Sequence, residues 1–342
     1  MNIQYCKKFL LILLVLLSPF WLSGQDLHFS QYLNSPLNLN PAQTGFFQGS
    51  HRFILNHRNQ WTSVTKPYST FSGSFDMQLI KRKFKQDFVG IGLVFNSDRA
   101  GDADMGTTQA AISLSYTKSL NRRNSHFVSW GIQVGGAQHK FDYTQLYFDN
   151  QYNGDFFDPS LFNGENFSKD SYFYIDISSG VHWFLQLQDQ LIFNAGISAF
   201  HLNQPQLSFF DNNSAKLNSR FVLYANSSIG IGVNTDIQPS VLIMRQGPYT
   251  EVCFGTDFKF VNNNSPYFYS AINAGIFLRN QDAIILKLGL DQRKWNFGLS
   301  YDFNFSDLSP ASKYLGGYEL SVIYIVNQKH KKKIKEIPCP IF

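Results

Sequence analysis

Residues 172–185 read Tyr-Phe-Tyr-Ile-Asp-Ile-Ser-Ser-Gly-Val-His-Trp-Phe-Leu, and their alternation decides the fold. Phe173, Ile175, Ile177, Val181, Trp183 and Leu185 share one face of an extended chain, opposite Tyr172, Tyr174, Asp176, Ser178, Gly180 and His182. Successive strand side chains point to opposite sides, so one face suits hydrocarbon and the other water. A soluble sandwich alternates too, but here the second face is small and polar in segment after segment, as a wet lumen requires. Fourteen such segments run from 52–60 to 318–326, bounded by polar turns. The chain is therefore predicted to be all-β, a transmembrane antiparallel β-barrel of about 14 strands over residues 52–326. An even strand number lets both ends of the barrel lie on the periplasmic side.

Connection lengths support this topology. Links after even-numbered segments are mostly short, as at 121–125, 186–189 and 291–293, whereas 141–171, 201–219 and 304–317 follow odd ones. Outer-membrane barrels have short periplasmic turns and longer outside loops. Residues 141–171 and 201–219 are then outside loops rich in aromatics, and Phe156, Phe157, Phe162, Phe167, Phe209 and Phe210 are candidate cargo contacts or parts of a lid.

Composition fixes the class further. Charged residues make up 15% and aromatic residues 16% of the 342, the reverse of a soluble domain's balance. Lys7 and Lys8 precede an apolar run, 9–17, that is followed by Ser23 and Gly24, the layout of a signal peptide over residues 1–24. That run is short for a membrane span and is broken by Ser18 and Pro19. The formal charge of +5 owes two lysines to this segment and five lysines against Glu336 to the tail 327–342. The barrel itself has no basic face for nucleic acid.

Little points to catalysis. His28, His51, His57, His126, His139, His182, His201 and His330 are scattered, no nucleophile elbow is present, and Gly90-Ile91-Gly92 lies within a strand, where glycine marks close packing or a bend. Cys253 and Cys339 are too few for a disulfide framework. Acidic groups at Asp98, Asp102 and Asp104, and at Asp149, Asp155 and Asp158, invite a calcium reading, but neither follows the helix-flanked twelve-residue pattern. No cofactor or metal is expected. Charges on the polar face matter more. Arg52 and Arg58, Asp76, Asp257 with Lys259, and Asp302 all fall opposite bulky apolar neighbours. They would be costly against lipid and belong inside, either filling the lumen as ion pairs or lining a path.

Phe29-Ser30-Gln31-Tyr32-Leu33, Pro36-Leu37, Asn40-Pro41-Ala42, Gly45 and Arg58-Asn59-Gln60-Trp61 together resemble the opening of the PorP/SprF family of type IX secretion membrane proteins. Ser74-Phe75-Asp76, Gly298-Leu299-Ser300-Tyr301-Asp302, Gly316-Gly317-Tyr318-Glu319 and Pro338-Cys339-Pro340 resemble later family signatures, so the likeness spans the mature chain; Ile341 departs from the expected Arg. The resemblance implies a Bacteroidota outer-membrane component of the secretion and gliding apparatus. It implies partners as well: large exported cargo, often adhesins, with a C-terminal sorting domain, other secretion components, and outer-membrane lipid. On this reading residues 25–51 form a periplasmic N-terminal segment, which either plugs the lumen or binds a partner, and 327–342 a basic periplasmic tail. Pro338, Cys339 and Pro340 are its candidate docking residues. The alternatives are a small-solute diffusion channel and, with no constellation to support it, an enzyme.

Overall fold

The structure is a computed structural model and describes residues 26–61, 66–81, 87–101, 103–158, 160–162, 164, 169–188, 190–207, 215–263, 268–306 and 312–326. Its strands are β1 (His51–Gln60), β2 (Tyr68–Lys81), β3 (Phe88–Ala100), β4 (Met105–Ser119), β5 (His126–Lys140), β6 (Ser171–Gln188) and β7 (Leu191–Phe200). They continue with β8 (Arg220–Gly230), β9 (Thr235–Gln246), β10 (Tyr249–Asn263), β11 (Ser270–Arg279), β12 (Ala283–Gln292), β13 (Trp295–Asn304) and β14 (Leu315–Val326). Each pairs antiparallel with its sequence neighbour, and β1 pairs with β14 from His51↔Val326 to Gln60↔Gly317, so the 14-stranded barrel is closed and has no free edge. Among the described residues no helix is long and apolar enough to cross a membrane.

The alternation in 172–185 becomes the wall of β6. Phe173 is 69% exposed on the outer surface, while Asp176 is 4% exposed inside. Phe53, Leu55, Phe71, Leu93, Phe95, Ile112 and Leu114 repeat the outward pattern, giving the outward apolar band characteristic of membrane barrels. Rings gather towards both ends of the wall: Trp295 stacks on Phe297 and meets Tyr324 at 4.5 Å, and Tyr301 meets Phe303 at 4.8 Å near the other end.

The rim that carries Ser50, Val326 and the even-numbered turns is the terminal rim, and the opposite one is the loop rim. The two longest connections, residues 141–170 and 201–219, both lie at the loop rim. Asp98, grouped above with Asp102 and Asp104, belongs to β3 and accepts a hydrogen bond from Thr70 Oγ1 at 2.5 Å, whereas Asp102 lies outside the described residues. The lumen is the larger difference. Small polar inner faces predict a wet interior, yet the space they leave is largely taken by residues 26–50 of the same chain. Tyr32 and Leu39 bury themselves among Phe200, Val222, Tyr224, Leu242, Cys253, Phe277 and Ile285, and Leu37 packs on Val94 and Ala111. Each such apolar side chain contributes roughly 1.5–3 kcal/mol by leaving water.

Candidate functional site: a plugged lumen

Residues 26–50 thread the barrel from the loop rim to the terminal rim as a plug with little regular structure. Pro36 opens the short helix α1 (Pro36–Leu39), with its fixed φ suited to the first turn. Asn40 then accepts a hydrogen bond from Ala42 N and caps the 3-10 turn Pro41–Gln43. A chain without a ladder of its own must find partners for its backbone groups. The inner faces of the strands supply them. Ser198 Oγ donates to Leu39 O at 2.6 Å, Ser115 Oγ to Thr44 O at 2.6 Å, and Gln78 Nε2 to Gly45 O at 2.7 Å. In the other direction Asn40 Nδ2 donates to Val181 O at 2.8 Å.

The turn at 40–44 rests on a belt of small residues. Gly90, Ser115, Gly131, Gly180 and Ser198 are successive partners across β3 to β7. A Cβ at Gly90 would collide with Thr44 O, and one at Gly131 with the Pro41 and Ala42 backbone. These two glycines let one backbone approach another, which is the close packing expected of Gly90.

Three clusters of charge fasten the plug. Near the terminal rim, Arg52 donates to Asp76 through Nε at 2.9 Å and Nη2 at 2.7 Å, and Asp76 Oδ2 also accepts from Gly45 N at 2.7 Å. Near the loop rim, Asp302 Oδ2 meets Arg58 Nη2 at 3.0 Å and Arg279 Nη1 at 3.1 Å. Ser30 Oγ donates to Asp302 at 2.8 Å and accepts from Arg279 Nη2 at 2.7 Å. Glu319 takes the backbone N–H groups of Ser30 at 2.7 Å and Gln31 at 3.1 Å, and Arg58 Nη1 donates to His28 O at 2.5 Å. Charge-assisted bonds of this kind are among the stronger ones available.

The third cluster holds the first described residue. His201 reaches Asp176 through Nδ1 at 2.8 Å and Asp26 through Nε2 at 3.0 Å, and Arg220 Nη1 lies 2.8 Å from Asp26. Two carboxylates on both ring nitrogens require the imidazolium, since neutral imidazole donates only once. Burial alone would lower the His201 pKa, but the hydrogen bonds and charges of Asp176 and Asp26 outweigh it and push it up to about 9. Burial likewise opposes ionisation of Asp26, but Arg220 and His201 hold its carboxyl well below the usual carboxylate range.

A raised histidine pKa stabilises the folded state fully below the unfolded value of 6.5, and that contribution is lost as pH rises through about 9. The melting midpoint of the barrel is therefore expected to fall between pH 6.5 and 9. In a His201→Gln variant that slope should flatten; an unchanged slope would remove His201 from the latch.

All six lumen candidates named from the sequence line the interior. Arg52, Arg58, Asp76 and Asp302 form the contacts above, whereas Asp257 and Lys259 do not pair with each other: Asp257 holds Lys287 at 2.9 Å and Lys259 holds Asp291 at 2.8 Å. Arg279, Arg220, Glu319, Asp176 and His201 were missed as lock residues, although Arg279 and Glu319 occupy inward positions that alternation marks. Outside, Phe156 and Phe162 are 61% and 78% exposed, and Phe157 meets the Tyr147 ring at 4.7 Å. Phe167, Phe209, Phe210, Pro338, Cys339 and Pro340 lie outside the described residues, as do the 1–24 segment and the tail. Asp158 caps its own turn, accepting from Ser160 N at 2.9 Å and Ser160 Oγ at 2.6 Å. Among the described residues no group of three His, Cys, Asp or Glu converges as metal ligands.

Known structures of similar shape share the fold at low identity. The Ralstonia pickettii toluene transporter TbuX is 11% identical, with TM-score 0.50 over 88% of this chain and 95% of its own. The P. putida toluene transporter TodX is likewise 11% identical, with TM-score 0.51 over 85% of this chain and 93% of its own. No curated protein matches the sequence. The family described as type IX secretion system membrane protein PorP/SprF matches residues 22–324. With that match covering nearly all of a closed, plugged, outer-membrane-type barrel, the chain belongs to the PorP/SprF family of type IX secretion system membrane proteins.

Proposed function

We propose that this barrel is a non-enzymatic docking component of the type IX secretion and gliding apparatus, assisting export or surface anchoring of large cargo such as adhesins. Residues 1–24 direct export as a signal peptide, the terminal rim faces the periplasm of a Bacteroidota-like cell, and the loop rim faces outward. The observation that carries this reading is the plug. Residues 26–50 are bonded to the wall from Asp26 at the loop rim to Ser50 at the terminal rim, and in the loop half the two cavities around Asp26, His28 and Arg220 measure only about 30 and 20 Å³. A barrel filled in this way supports a partner at its mouth rather than solute flow through it. Tyr147, Tyr152, Phe156 and Phe162 are well exposed on the loop at 141–170, and an apolar surface of that kind favours a protein partner. We assign it to the cargo's C-terminal sorting domain.

Two measurements test the docking reading. The purified barrel in planar bilayers should show no large, permanently open conductance; finding one would favour the small-solute channel. Replacing Tyr147, Phe156 and Phe162 together with serine should lower capture of a sorting domain by tenfold or more while leaving the barrel folded. Unchanged capture would move the docking surface elsewhere.

A further inference from the structure

The plug leaves one part of the lumen open. Two adjoining cavities of about 500 and 870 Å³ lie beside it in the terminal half and share Leu33, Phe184, Asn194 and Asn226. Gly49, Asn124 and Gln186 edge the first and Asn234 the second, so both give onto the terminal rim. Phe127, Phe184, Asn194 and Asn226 are successive partners across β5 to β8 and form one row, half aromatic and half amide. Phe46 and Phe88 extend the aromatic half, with Phe46 5.2 Å from Phe184 and 6.2 Å from Phe88. Charge is scarce in the lining: Asp236 and Lys259 are confined to the second cavity, and Lys259 is bound to Asp291. Gln78 lines the first cavity, and its Oε1 is buried without a hydrogen-bond partner.

Amides that donate and accept, set beside aromatic rings and with little charge, suit an extended peptide whose side chains are uncharged. The sequence holds one within reach. Val326 O accepts from Ser50 N at 2.7 Å and Ser50 Oγ at 2.9 Å, which places the end of β14 at the edge of this vestibule, next to Gly49. Residues 327–336 carry five lysines, and residues 337–342 then read Ile-Pro-Cys-Pro-Ile-Phe without a charged side chain. Prolines hold a chain extended and bring no N–H to satisfy. Reach is sufficient: from Val326 to Cys339 an extended chain spans up to roughly 45 Å. Fourteen tilted strands about 4.8 Å apart enclose a barrel roughly 28 Å across.

We propose that the terminal-rim vestibule is a peptide-binding site and that its occupant is residues 337–342 of the same chain. Seated there, Ile337, Ile341 and Phe342 lie against the Phe46, Phe127 and Phe184 wall, the remaining backbone N–H groups meet Gln78 and the amide row, and the lysines stay at the rim. This site is separate from the cargo-docking surface at the loop rim and does not depend on it.

Cys339 makes the test direct. In a Cys253→Ala background the full-length protein is given Asn226→Cys inside the vestibule, or in a separate variant Lys294→Cys at the rim, and is mildly oxidised in native membranes. Lys294 lies beside the start of the tail, its carbonyl accepting from Ile325 N at 2.9 Å, so an unseated tail should favour it. The expected result is an intrachain disulfide from Cys339 to the Asn226→Cys site at tenfold or more the yield at Lys294→Cys. An excess of a peptide with the sequence Ile-Pro-Ser-Pro-Ile-Phe should reduce that yield severalfold. Equal yields, preference for Lys294→Cys, or disulfides joining two chains would overturn the proposal. If Asn226→Cys fails to assemble, Asn194→Cys, on the same inner row, replaces it under the same criteria.

Discussion

Gly131→Val is expected to leave the barrel closed and to expel the plug, turning a silent protein into a conducting one. The argument rests on which atoms would collide. A Cβ at Gly131 meets the carbonyl carbon of Pro41 and the amide of Ala42, which are main-chain atoms that cannot rotate aside. The strand itself tolerates the change, because Gly131 does not have a positive φ and valine suits a pleated wall. Strain therefore falls on the weaker partner, a segment that holds the wall through scattered side-chain bonds rather than a ladder. Once residues 40–44 lift off the belt, the bonds from Ser115 to Thr44 and from Ser198 to Leu39 are lost together. Planar bilayers should then show a stable conductance in most insertions, and protease should cleave within residues 26–50. Gly73→Val is the control: its Cβ meets only the Leu55 and Phe71 side chains, at 3.5 and 3.8 Å. A Gly131→Val barrel as silent and protease-resistant as the Gly73→Val barrel would show that the belt does not seat the plug.

Period-two alternation made the wall legible because it is a local property: whether Arg58 faces in or out depends only on its neighbours Phe53 and Leu55 and on the parity between them. All fourteen strands and the six lumen charges follow from that rule. Which charges meet is not local. Arg58 reaches Asp302, 244 residues away, only because barrel closure sets β14 between β1 and β13, with Arg58 opposite Glu319 and Glu319 opposite Ser300. Register across several strands decides such a pair, and no single stretch of sequence encodes it.

That residues 26–50 plug the lumen, rather than bind a partner, is left open by the sequence for a different reason. Residues 26–50 have neither a two-residue nor a 3.6-residue period, so nothing local says what they pack against, and their Asn, Gln and Pro content reads equally as a solvated arm. The complementary signal was present in the wall but scattered. Gly90, Gly131 and Gly180 each look like an isolated packing glycine until the register aligns them into one seat. Asp257 and Lys259 make the same point about register: they share a face two residues apart, yet each is bound to a partner on β12.

Asp302→Ala should unfasten the loop-rim end of the plug, with the largest effect expected of any single charge removal. Asp302 is 3% exposed and serves Arg58, Arg279 and Ser30 at once. Its loss leaves two buried guanidinium groups sharing Glu251, Asp282 and Glu319, which are already engaged with His28, Arg279 and the plug backbone. Removing one partner from a buried ion pair typically costs about 3–5 kcal/mol, more than the intact pair contributes, because the remaining charge stays desolvated. That strain can be relieved locally by releasing residues 26–31, which admits water to Arg58 and Arg279. Lowering the cost of opening by about 3 kcal/mol raises the open population on the order of a hundredfold, so protease cleavage in this stretch should accelerate by that factor. Asp302→Asn, which can still accept from Ser30, should fall between the two. Asp257→Ala provides the contrast. It also strips a buried carboxylate from a cation, Lys287 at 2.9 Å, but this pair lies within the wall and does not hold the plug. It should lower the melting midpoint without exposing residues 26–31. If both variants release the plug equally, the loop-rim cluster contributes only general stability and is not the fastener.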